Sequence, residues 1–60
     1  MQAKIGDHLV VKNHRVGVPD HECEVLEVRG PDGGPPYLVR WQDSQQEALF
    51  FPGPDAVVHR

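Results

Sequence analysis

Two runs rich in β-forming residues, Cys23 to Val28 and Tyr37 to Trp41, are separated by Gly30-Pro31-Asp32-Gly33-Gly34-Pro35-Pro36. Val, Leu, Tyr and Trp fit a pleated, half-buried surface. The block between them fits neither strand nor helix. Its three glycines supply positive φ, and its three prolines remove ladder donors and hold φ near the turn value. The whole stretch reads as a long hairpin closed by a proline-stiffened loop.

Sixty residues make a single domain, 1–60, near the lower size limit for unaided folding. A chain of this length buries only ~60% of the surface its unfolded form exposes. One core of this size supplies about 3–5 kcal/mol. Cys23 is the only cysteine, so no intrachain disulfide adds to that, and a lone cysteine suits a reducing, cytoplasmic setting. No apolar run of membrane-spanning length occurs, and Met1 to Asp7 lack a signal-type apolar stretch. The expectation is a soluble cytoplasmic domain with no membrane association. Nine acidic against six basic residues give a net charge of −3. That balance disfavours unspecific binding to a phosphate backbone.

Gly6-Asp7 marks a turn, after which Leu9 and Val11 alternate with His8, Val10 and Lys12 in a first strand over 8–13. Asn13 to Asp20, with Gly17 and Pro19, carries no period and reads as a surface loop. In the second strand, 22–29, Cys23 and Val25 lie on one parity and Leu26 and Val28 on the other. A period-two strand cannot bury both sets on one flat face, so a β-bulge or bend is expected near Val25-Leu26. The third strand, 37–41, places Tyr37, Val39 and Trp41 opposite Leu38 and Arg40. A polar turn, Asp43 to Gln46, leads to a fourth strand, Glu47 to Phe51. Pro52-Gly53-Pro54-Asp55 predicts a tight 3₁₀-like corner before a short fifth strand, Ala56 to Val58. No helical period runs long enough for a helix. The fold expected is all-β, a small five-stranded antiparallel barrel.

Gly6-Asp7-x-Leu9-Val10-Val11, Val25 to Val28 and Tyr37 to Trp41 resemble runs in SH3-like barrels, among them Tudor, chromo and ribosomal KOW-type modules. A longer string is more particular: Leu26 to Tyr37, then Val39-Arg40-Trp41, Asp43 and Phe50 to Asp55. It resembles the bacterial family catalogued as domain of unknown function nineteen-eighteen, and the likeness covers nearly the whole chain. The resemblance implies an SH3-like five-stranded barrel and brings no assigned function. Members of that family tend to carry Gly-His just before the position of Glu47, where this chain has Gln45-Gln46. A role for a histidine in that turn would not transfer.

Residues with reactive side chains are sparse. His21 and Cys23 share a strand face, with His8 and His14 elsewhere, but zinc sites want four ligands at recognisable spacing, and one cysteine among scattered histidines does not supply them. No metal or cofactor is expected. Cys23 with His21 in the same strand is not a Cys-His pair across a cleft, so Cys23 is read as a buried, structural residue. The three prolines of the Gly30–Pro36 block lack the N–H groups that cradle phosphate. No catalytic constellation is present, and the chain is read as non-enzymatic.

Tyr37, Trp41, Phe50 and Phe51 are all the aromatics of the chain, on two strands expected to be neighbours. The core claims some of them. Phe50 and Phe51 are consecutive and point to opposite faces, which leaves one exposed. With Arg40 beside them, Tyr37, Arg40, Trp41, Phe50 and Phe51 are the candidate binding residues, suited to a protein segment or to a second copy in a homodimer. The alternative is a small nucleic-acid-binding accessory protein, which requires Lys12, Arg29 and Arg40 to converge beside Trp41. The basic residues, Lys4, Lys12, Arg15, Arg29, Arg40 and Arg60, are interspersed with acids, and Arg29 and Arg40 are placed to pair with Glu27 or Glu24 instead.

Overall fold

A computed structural model describes residues 2–59; Arg60 of the basic set lies outside them. Five strands follow one another: β1 His8–Val11, β2 His21–Val28, β3 Tyr37–Trp41, β4 Glu47–Phe50 and β5 Ala56–His59. They form one antiparallel sheet in the order β4-β3-β2-β1-β5. Among the described residues no ladder joins the edge strands β4 and β5, so the sheet is not closed by hydrogen bonds. The five residues 51–55, two of them proline, carry the chain from one edge of the sheet to the other.

The slip in β2 is resolved by an irregularity between Val25 and Glu27. Val25 pairs with Val39 and Glu27 with Leu38, which leaves Leu26 as the extra residue. Cys23, Val25 and Val28 thereby face the same side and meet Trp41, Val39 and Tyr37 across the β2–β3 ladder. Leu9 joins them from β1, beside Cys23 on one flank and Val58 on the other. The core is Ala3, Leu9, Cys23, Val25, Tyr37 and Val39, with Val28, Trp41, Phe50 and Val58 packed against it. On the opposite face Arg40 stands between Glu24 and Glu47 in register, and its guanidinium donates to Glu24 Oε1 at 2.8 Å. Both side chains are partly exposed, so a double-mutant cycle on Arg40→Ala and Glu24→Ala is expected to give a coupling of about 0.2–1 kcal/mol. Zero coupling at low salt would show that the pair is incidental.

The hairpin loop is a structured element. Pro31–Gly33 forms a 3₁₀ turn, with Asp32 (φ 57) and Gly33 (φ 76) in the left-handed region. Gly34 N–H donates to Pro31 O (2.9 Å), Gly30 N–H to Gly34 O (3.2 Å) and Arg29 N–H to Pro36 O (3.0 Å). The amino-terminal segment ties down the loop: Ala3 N–H donates to Gly33 O at 2.9 Å, and the Tyr37 hydroxyl donates to the same oxygen at 2.6 Å. The 3₁₀ turn therefore belongs here. At the Pro52–Asp55 corner a single tight turn is closed by Ala56 N–H on Gly53 O. Strand ends move little from expectation: β1 stops at Val11, β2 runs from His21 to Val28, and β4 ends at Phe50. Gln45 has φ 59, a left-handed value uncommon in a residue that carries a Cβ.

Candidate functional site

The five candidate residues do not form one surface. Tyr37 is fully buried, contrary to a role on a binding face. Its parity on β3 aims it at Val28 and Phe50 of the neighbouring strands, and burial pushes its phenol pKa up. Arg40 lies on the other face of β3 from Trp41 and is occupied by Glu24. Trp41 and Phe50 do come together: their rings meet edge to face, centroids 5.2 Å apart at 80°. Ala48, the small residue between Phe50 and the start of β4 on the same face, leaves the indole that space. Phe51, one residue beyond the strand, is 68% exposed.

The structure adds a residue to this group. His21 meets the Trp41 ring edge to face at 6.2 Å and 82°, and its Nδ1 lies 3.1 Å from Asp43 Oδ2. Sequence spacing pointed to His21 only as a partner of Cys23. Its place beside Trp41 follows from the hairpin register, which sets Cys23 opposite Trp41 and hence His21 diagonal to it. Two shallow depressions flank His21. One, of about 320 Å³, is lined by Val18, Pro19, Asp20, His21, Glu22, Gln42 and Asp43. The other, of about 330 Å³, is lined by His21, Trp41, Asp43 and Ser44.

The thiol of Cys23 is fully buried between Leu9 and Trp41, and burial pushes its pKa up to about 11. A thiol held neutral is no nucleophile. Of the other histidines, His8 lies 3.0 Å from Glu22 and His14 3.1 Å from Asp55. Among the described residues no three His, Cys, Asp or Glu side chains are grouped to hold a metal ion. Lys12, Arg29 and Arg40 do not converge beside Trp41. Each is directed at a carboxylate: Asp20 at 3.8 Å, Glu27 at 3.7 Å and Glu24 at 2.8 Å respectively. No helix among the described residues is long and apolar enough to cross a membrane.

These features define a small all-β domain built on one antiparallel sheet, with an aromatic cluster where β3, β4 and the start of β2 meet. The chain belongs to the family described as Domain of unknown function (DUF1918), which it matches over residues 1–58. It is 52% identical over 58 residues to Uncharacterized protein Rv0569 of Mycobacterium tuberculosis, covering 97% of this chain and 66% of that protein. To Uncharacterized protein Rv2302 of the same species it is 50% identical over 58 residues, covering 97% of this chain and 72% of the relative. The chain thus spans just under two thirds of the length of the first of these relatives. No solved structure matches it.

Proposed function

We propose that the chain is a non-enzymatic interaction module of SH3-like topology that binds a protein segment or a second copy of itself through the Trp41–Phe50–Phe51 region. Support for the topology comes from chain length. A flat five-stranded sheet would hold its edges about 19 Å apart. The link from Phe50 to Ala56 reaches at most about 20 Å fully extended, and it contains a turn. The sheet must therefore curl around its core, as the bulge in β2 permits. A cytoplasmic setting suits the single unpaired Cys23.

The observation that carries the binding reading is Phe51, a large aromatic side chain left 68% exposed one residue from the Trp41–Phe50 pair. Aromatic residues are enriched in interfaces over the rest of protein surface. Self-association has a further motive in a core too small to give more than a few kcal/mol. Sedimentation equilibrium across a range of concentrations is the test. The parent is expected to exceed its 6.7 kDa monomer mass as concentration rises. Phe51→Ser should return it to monomer, with the melting temperature the parent has at dilutions where it is monomeric, whereas Phe50→Ser should fall below that value by losing the ring packed on Trp41. A parent that stays monomeric throughout excludes the homodimer. Micromolar oligonucleotide binding that weakens steeply with salt would replace the proposal with the nucleic-acid reading.

A further inference from the structure

Resting on the reading of the chain as an interaction module, we infer that the two depressions around His21 receive a cationic side chain, arginine or lysine, from an extended segment of a protein partner. The lining holds three carboxylates, Asp20, Glu22 and Asp43, and no Lys or Arg. The compensation of these charges is thin. Lys12 reaches Asp20 only at 3.8 Å, while Glu22 and Asp43 have imidazoles for partners, His8 and His21. The rest of the lining is suited to the stem of such a side chain: Val18 and Pro19 on one side of His21, and the partly exposed Trp41 on the other. Long cationic side chains bury their methylenes on apolar surface while the charge stays at the rim, and an indole attracts a cation placed over its face. A phosphate backbone would meet the same three carboxylates as repulsion, so a nucleic-acid ligand is disfavoured at this place.

The occupant is set by charge as well as by shape. Apolar contact alone would accept any segment. A rim of three carboxylates with a single ammonium nearby, Lys12 at 3.8 Å from Asp20, favours a basic segment and rejects an acidic one. Arg29 and Arg40 do not fill the role within one molecule, since they are held by Glu27 and Glu24.

Trp41 is the only tryptophan of the chain, so its indole N–H signal and its fluorescence report on the surroundings it shares with His21 and Phe50, and the Asp43 variant separates the two sides. The probe is a short Gly-Ser peptide carrying spaced arginines, compared with the same peptide carrying lysine, citrulline or glutamate, at about 0.15 M salt. The arginine and lysine peptides are expected to shift the Trp41 indole signal, with the citrulline and glutamate peptides inert. Asp43→Asn should weaken binding by at least about five-fold, because it removes the charge between the two depressions. Asp32→Asn, an equal change of net charge in the loop at the far end of the β2–β3 hairpin, should stay within about two-fold. Equal binding of the citrulline peptide, or equal loss in the two Asn variants, would overturn the inference. If no peptide binds but the parent self-associates through Phe51, the inference falls and the interaction reading stands. If neither occurs, the inference and the homodimer both fall.

Discussion

Gly30→Ala is expected to leave the chain without a cooperative fold at 25 °C. The reason is space, since Gly30 has φ −92 and ψ 166, values open to any residue. A Cβ at this position would fall on the carbonyl oxygens of Pro35 and Gly34, deep inside contact distance. Both obstacles are backbone, so no rotamer change relieves them. Relief requires moving the loop, and with it the bonds Gly30 N–H to Gly34 O and Arg29 N–H to Pro36 O. Gly33 O moves too, which holds both Ala3 N–H and the hydroxyl of the buried Tyr37. Overpacking costs about 1–3 kcal/mol or more, and each lost hydrogen bond about 1 kcal/mol beyond it. A core supplying about 3–5 kcal/mol does not absorb that sum. Dispersion of the amide NMR spectrum is the measurement, with Gly53→Ala as the control. A Cβ at Gly53 meets nothing within 4 Å, so that variant should match the parent or gain a few tenths of a kcal/mol from a stiffer unfolded chain. A well-dispersed Gly30→Ala spectrum, with a melting temperature within about 5 °C of the parent, would show that the loop has a different shape.

The loop also shows where sequence reasoning succeeds and where it stops. That residues 30–36 break the strands, and that β2 needs a bulge near Val25-Leu26, both follow from local chemistry and the period of two. The Arg40–Glu24 pair follows once the hairpin is assumed. By contrast, Pro31-Asp32-Gly33 and Pro52-Gly53-Pro54-Asp55 are nearly alike in composition, yet the 3₁₀ turn forms at the first. What distinguishes the two is tertiary: Ala3 and Tyr37 both bind Gly33 O, and neither contact is visible in local sequence. Tyr37 is indistinguishable from Trp41 by parity, and only their positions relative to the sheet end make one core and the other rim. The acidic depressions around His21 depend on the loop 13–20 folding back beside Asp43, a non-local event with no local signal.

Between pH 9 and pH 11 the unfolding free energy is expected to fall by about 2–3 kcal/mol, a fall of the same order as the whole stability of a domain this small. Cys23 is the source. Its thiol pKa stands at about 11 in the folded chain against 9.0 for an ordinary thiol, chiefly because burial disfavours the thiolate, with a smaller upward push from Glu22 and an opposing hydrogen bond at Leu9. Below pH 9 both states keep the proton, and the contribution to stability is fully present. Above it the unfolded chain releases the proton while the folded chain still binds it, so stability declines with pH until the folded thiol ionises near 11. The buried Tyr37 phenol, whose pKa is also raised, acts with the same sign above pH 10. Urea unfolding at a series of alkaline pH values measures the slope. Cys23→Ala should be somewhat less stable at neutral pH, through the lost Sγ packing, but flatter between pH 9 and 10, where an ordinary tyrosine is at most about half ionised. Parallel curves for parent and variant over that interval would mean that the thiol reaches solvent in the native state. The buried position opposite Leu9 and Trp41 would then be untenable, and with it the reading of Cys23 as a structural residue.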